Sequence, residues 1–233
     1  MTDKATLILV PGLLCDATVW ESVMARLSGE MVMKVADLSK RDNLTAMAED
    51  TLADCPGELY VAAHSMGARV AMEMARLAPE RLKRLALLDT GMHPLKPGEP
   101  EKRQEIVNFA HNNGMSALAA RWLPGMVHPD RTGDAALMEK LTAMVLRADP
   151  DLHERQINAL VNRPDAAAVI HLIECPTLLA VGRQDQWSPV SQHEDMLRLM
   201  PNATLEIIED AGHFSPVEQP DAVAGLIRDW ATT

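Results

Sequence analysis

Ser65 stands in the run Ala63-His64-Ser65-Met66-Gly67, directly after the apolar stretch Leu59-Tyr60-Val61-Ala62. A strand, a tight turn and a helix in that order hold a serine hydroxyl on strained backbone, exposed for attack on a carbonyl. Small residues must flank such a serine at minus two and plus two, where strand and helix backbones approach closely, and Ala63 and Gly67 meet that need. A chance serine at a helix start would look similar in isolation. Two later runs give it partners. Thr177-Leu178-Leu179-Ala180-Val181-Gly182 leads to Asp185, and Glu206-Ile207-Ile208 leads through Gly212 to His213. In that chain order His213 would take the Ser65 proton and return it to a leaving group, while Asp185 fixes the imidazole tautomer.

Other groups compete for these roles. His64 is adjacent to Ser65, but neighbours in a sharp turn point apart, so it reads as a packing and hydrogen-bonding residue. Asp89 also ends an apolar run and is the alternative acid; its expected role is to hydrogen-bond the start of the segment that follows. Glu209 and Asp210 precede His213 too closely to orient it. Negative charge on a tetrahedral intermediate needs fixed N–H donors. Met66 N–H is one, and the Pro11-Gly12-Leu13-Leu14-Cys15 loop offers Leu13 N–H as the second, with Leu14 as the alternative. Cys15 lacks an assigned base and reads as a packing thiol or pocket liner.

The elements that position these groups follow from hydrophobic period. Continuous apolar runs over Thr6–Val10, Val32–Ala36, Leu59–Ala63, Leu82–Leu88, Thr177–Val181 and Thr204–Ile208 read as buried strands of a mostly parallel sheet, none half-exposed. Helical patterns lie between most of them, over Thr18–Leu27, Thr45–Cys55, Met66–Leu77 and Ser191–Leu199, with Asp221–Ala231 last. The alternation breaks between Gly91 and Glu174. There the patterns are helical, over Glu101–Asn112, Met115–Leu123, Asp134–Arg147, Leu152–Val161 and Asp165–Leu172, separated by proline and glycine turns. The expected division is a core of residues 1–90 and 175–233 with a helical cap at 91–174.

Composition bounds the partners. The 233 residues carry 33 acidic against 22 basic side chains, a formal charge of -11, which disfavours nucleic acid and anionic membrane. The apolar run after Thr6 is too short to span a bilayer and lacks a basic leader, so a cytoplasmic protein is expected. Cys15, Cys55 and Cys175 are odd in number and scattered, as free thiols in a reducing compartment would be. No His-Glu-x-x-His or Gly-x-Gly-x-x-Gly pattern occurs, so neither metal nor dinucleotide is expected. Aromatics make up only 3% against 15 methionines, so the core is aliphatic and Met-filled. Self-association into a homo-oligomer stays open.

Taken together, Leu9-Val10-Pro11-Gly12-Leu13 with Trp20, Ala62 through Gly67, Val181-Gly182-Arg183-Gln184-Asp185, and Gly212-His213-Phe214-Ser215-Pro216 with Glu218-Gln219-Pro220 resemble the α/β-hydrolase superfamily. The likeness is to its small esterase, lactonase and perhydrolase-like branch. It implies the α/β-hydrolase fold, with a sheet of about six strands beginning at the family's third strand and a helical cap. Pro11 stands where the family usually has histidine, and Ala63 where it usually has glycine. The implied activity is hydrolysis of a small-molecule carboxylic ester through an acyl-enzyme, without cofactor. Lactone, thioester or C–C bond cleavage by the same residues, and a silent ligand-binding protein, remain alternatives. Leu14, Trp122 and Met126 are candidate pocket residues, with Met115, Met138, Met144 and His153 as weaker ones.

Overall fold

In a computed structural model, which describes residues 6–232, six parallel strands form one sheet in the order β2-β1-β3-β4-β5-β6. The strands are β1 (Thr6–Val10), β2 (Val32–Val35), β3 (Leu59–His64), β4 (Leu82–Leu88), β5 (Thr177–Gly182) and β6 (Ala203–Ile208). Side chains alternate between faces along each strand. Ile8, Val10, Val61, Ala63, Leu85 and Leu87 join one core cluster, while Leu7, Leu9, Ala62, Ala86 and Leu88 join another on the opposite face. Helices α2 (Leu44–Asp54), α3 (Met66–Leu77) and α7 (Val190–Leu199) contribute to the first cluster, and α1 (Glu21–Arg26) with α9 (Pro220–Thr232) to the second. A single turn, α8 (Ser215–Glu218), precedes α9.

The central strands are buried on both faces, but the edge strands are not. Along β2 and β6 exposed and partly covered residues alternate, contrary to the expectation that every strand is buried. An edge strand has a neighbour on one side only and fewer helices over it. The first helical pattern also resolves into two pieces. Asp16 caps a short 3-10 turn at Ala17–Val19, and α1 starts only at Glu21.

Between β4 and β5 the chain is helical: α4 (Glu99–Trp122), α5 (Ala135–Val145) and α6 (Pro150–Val161). The break expected between two helices near residue 113 is a kink at Gly114, whose φ of 79° and ψ of 169° leave the helical region. The helix expected over Asp165–Leu172 is instead a pair of 3-10 turns, Ala166–Ala168 and Ile170–Leu172. Asp165 caps the first turn at Ala167 N–H, and the β-branched Val169 and Ile170 do little to extend it. Cap residues Leu118, Leu123, Leu141 and Met144 join one core cluster and Ala159, Leu160 and Ile170 the other, so the insertion packs onto the core on both sides. Among the described residues no helix is long and apolar enough to cross a membrane.

A close backbone approach lies under the serine turn. A Cβ on Gly67 would fall 2.6 Å from the Val10 carbonyl oxygen and closer still to that of Pro11. Gly225, inside α9, has open space around it. Urea unfolding should therefore separate two equivalent changes. Gly67→Ala is expected to destabilise by about 3 kcal/mol, through overpacking against backbone that cannot yield. Gly225→Ala is expected to stabilise by roughly 0.5–1 kcal/mol through helix propensity. Equal effects at the two sites would refute the close approach.

Candidate active site

β3 ends at His64 and α3 begins at Met66, so one residue makes the turn. Ser65 has φ 55° and ψ -116°, a left-handed conformation that a side chain disfavours. Its N–H donates to the Leu88 carbonyl at 2.9 Å, and Thr90 Oγ1 donates to its carbonyl at 3.0 Å. Four non-glycine residues have positive φ among the described residues: Leu14, Ser65, Asp89 and Asp210. They follow the ends of β1, β3, β4 and β6 respectively. Backbone strain is thus concentrated on one edge of the sheet, where strained residues gather at functional sites.

The residues expected to cooperate come together there. Ser65 Oγ lies 2.8 Å from His213 Nε2, and His213 Nδ1 lies 2.8 Å from Asp185 Oδ2. The other Asp185 oxygen accepts the Trp187 and Ser188 N–H groups, each at 2.8 Å, which fixes the carboxylate. Gly182 lets β5 and the histidine loop touch, since a Cβ there would collide with the Ala211 and Gly212 carbonyls, and Gly212 lets that loop meet the cap backbone at Val127–His128.

Asp89 takes a different place from the one expected. Rather than bonding the start of the insertion, Oδ1 accepts Gly182 N–H at 2.9 Å and Oδ2 accepts the Ser215 hydroxyl at 2.6 Å. At φ 49° the turn after β4 directs the carboxylate toward β5 and the histidine loop. His64 packs as expected: Nε2 lies 2.7 Å from the His213 carbonyl, and its ring stacks on Phe214 with centroids 5.6 Å apart. Glu209 pairs with Arg183 at the surface.

The electrostatics separate these groups. Burial pushes His213 down, but the charge and hydrogen bond of Asp185, with Asp89 and Glu218 behind it, more than offset this and raise it above 6.5. Burial likewise raises Asp185, and there the His213 charge, its hydrogen bond and the two N–H donors win and lower it. Asp89, equally buried and beside the Asp185 charge, is held well above the usual carboxylate range. Burial, and then the His213 charge, depress His64 to about 3, so it stays neutral. Two carboxylates and two histidines therefore divide by environment.

A cavity of about 720 Å³ opens over Ser65 and His213. Leu13, Leu14, Met66, Trp122, Met126 and His153 line it, whereas Met115, Met138 and Met144 do not. Leu14 N–H is already taken by Gln156 Oε1 of α6 at 2.8 Å, so this alternative donor is not free toward the cavity. Trp122 meets Phe214 edge-on at 6.1 Å, and the Met126 carbonyl accepts His213 N–H at 2.7 Å. Glu218 stood in the sequence only as part of a family-like run, with no role assigned. Its carboxylate accepts Gly212 N–H at 2.9 Å and His128 N–H at 2.7 Å, joining the histidine loop to the cap. Gln156 and the cavity residues Arg69 and Arg163 also escaped notice; only Arg69, one helical turn from Ser65, had a local signal. His111, Asp151 and Glu154 gather on the cap, with a 2.8 Å contact between His111 and Glu154, but they do not line the cavity.

Comparison with known proteins decides the lineage. Residues 7–226 match the alpha/beta hydrolase family. The chain belongs to that family. A pimeloyl-acyl-carrier-protein methyl ester esterase from Aromatoleum aromaticum is 23% identical, with 97% of this chain and 98% of that protein aligned. A thermophilic esterase from Thermogutta terrifontis, solved with malate bound, superposes with TM-score 0.89 at 29% identity, covering 97% of this chain and 89% of the other. The enol-lactonase from Burkholderia xenovorans LB400 gives the same TM-score at 21% identity over 99% and 92%. Against relatives from Pseudomonas syringae and Bacillus subtilis, the chain spans 66% and 64% of their length.

The His213 environment makes a prediction that needs no substrate. In an NMR titration its imidazole should protonate above 6.5, and Asp185→Asn should bring it below the wild-type value because burial then dominates. Since the folded value is raised above 6.5, the stability it adds is fully present below pH 6.5 and is lost as pH climbs above 6.5 through the raised folded value. An Asp185→Asn titration that matches wild type would contradict the assigned contact.

Proposed function

We propose that this chain is a serine hydrolase cleaving a small-molecule carboxylic ester through an acyl-enzyme intermediate. The observation that carries this reading is the run of two 2.8 Å contacts from Ser65 to His213 to Asp185. Neutral His213 removes the Ser65 proton as Oγ attacks the carbonyl carbon, and the carbonyl oxygen gains the negative charge. Leu13 and Met66 N–H groups receive that oxyanion, Met66 with the added field of the α3 N-terminus. His213 then gives its proton to the departing alcohol. A water deprotonated by the same nitrogen releases the acid and restores Ser65. Asp185 holds the imidazole and offsets its charge when protonated.

Residues 91–174 act as a cap that covers the cavity, with Leu14, Trp122 and Met126 shaping the substrate space. The free Cys15, Cys55 and Cys175 support a reducing, cytoplasmic setting. Fluorophosphonate should label Ser65 and fail to label Ser65→Ala; a folded wild-type protein that resists labelling would defeat the proposal. A hydrolysis screen over nitrophenyl esters, lactones, thioesters and C–C substrates should place esters first. Within that screen Asp185→Asn is expected to lower turnover by about 10⁴-fold, as tautomer control is lost. Asp89→Asn should leave most of it, and the reverse order would make Asp89 the acid. Wild-type kcat/KM should rise with pH as His213 loses its proton above 6.5.

A further inference from the structure

The cavity over Ser65 is electrically unlike the rest of the chain. Against a formal charge of -11 overall, it is faced by Arg69, Lys96, Lys102, Arg103, Arg121 and Arg163, with Glu99 as its one carboxylate among the described residues. Glu99 is already committed. It accepts from Arg103 Nε and from both Arg163 Nη atoms, each at 2.8 Å. Arg163 also donates to the His93, Pro94 and Leu160 carbonyls, which satisfies its whole guanidinium. Arg121 lies 4.7 Å over the Phe109 ring.

Lys96 and Lys102 are solvent-exposed, which leaves Arg69 as the half-buried cation without a carboxylate partner. It stands four residues after Ser65 on α3, on the same side of the helix. Nη2 makes one long bond, 3.2 Å, to the His93 carbonyl, and Nη1 is fully buried with no partner at all. Among the described residues no carboxylate lies within ion-pair distance of it. Burial, and next the neighbouring Arg163 charge, push its guanidinium down to about 9, which still leaves it cationic at neutral pH. A buried cation without a counter-ion is costly unless a ligand supplies one.

We propose that Arg69 seats a carboxylate of the substrate, so that the ester opened at Ser65 is a half-ester of a dicarboxylic acid. A guanidinium that lines the cavity, has no carboxylate partner and engages Nη2 in only one long bond matches the charge and hydrogen-bonding needs of a carboxylate. Arg69 and Ser65 line the same cavity one helical turn apart, about 6 Å along the axis, so one short dicarboxylic half-ester is sized to meet both. The proposal rests on Ser65 being the nucleophile, and the test keeps the two apart.

Monomethyl adipate and methyl hexanoate present the same ester and differ in a terminal carboxylate against a methyl group. Wild-type kcat/KM should favour the carboxylate by about tenfold or more, in adipate or in another half-ester between succinate and suberate. Arg69→Gln should erase most of that ratio, and Arg69→Lys should keep part of it, retaining charge without the fork. Calorimetry with adipate provides a readout independent of turnover: wild type binds, and Arg69→Gln loses at least tenfold in affinity. Thermal melts establish that both variants fold, and if Arg69→Gln does not, the wild-type ratio and Arg69→Lys carry the test. Protein that labels at Ser65 and hydrolyses methyl hexanoate, yet prefers no half-ester, overturns the carboxylate seat. So does adipate affinity unchanged in Arg69→Gln. If Ser65 fails to label while adipate binding depends on Arg69, the hydrolase reading falls and the carboxylate seat stands.

Discussion

The backbone contact between Gly67 and the Val10–Pro11 carbonyls is the constraint on which the rest of the site depends. It brings the first turn of α3 against the end of β1, leaving one residue to connect β3 to the helix. Ser65 must then adopt φ 55°, and that strained geometry lifts its hydroxyl off the sheet. The neighbouring Gly12 lies against the same turn. Gly12 fits there because a Cβ would meet His64 Nδ1 at 3.0 Å and Ser65 Cβ at 3.1 Å. Strain of this kind costs roughly 1–3 kcal/mol at each position, and the two core clusters flanking the sheet sustain it.

Asp89 does for the other half of the site what Gly67 does for the first. It is fully buried and joins three pieces of backbone: its own N–H meets Ala180, while its carboxylate meets Gly182 and Ser215. The end of β5 and the loop bearing His213 are thereby held in register with β4. One carboxylate thus serves architecture and its neighbour Asp185 faces the imidazole, although both end central strands.

Ser65, Asp185 and His213 were legible because each follows an apolar run and lies near a glycine that marks a close backbone approach. Those signals are local. Chain order did not separate Asp89 from Asp185, since both fall between Ser65 and His213, and the partners that set Asp89 apart lie 93 and 126 residues away. Gln156 reaches Leu14 across 142 residues, and no spacing rule anticipates such a pair. The segment after Pro164 read as a helical pattern, yet its β-branched residues and early capping hold it to 3-10 turns. Edge exposure of β2 and β6 is a property of strand order, which periodicity does not encode.

Glu218 gives the insertion a different standing from a detachable cover. Its carboxylate bridges the loop before His213 to His128, its carbonyl accepts from Arg131, and Met126 holds the His213 N–H. The histidine is therefore located partly by the segment that roofs it. Exchange of this roof between relatives is not a modular operation: a transplanted segment would have to bring its own equivalents of the Met126 carbonyl and the His128 amide. Variation in substrate range then has its freest ground in α4 and α6, away from that seam, where side chains can change without displacing the imidazole.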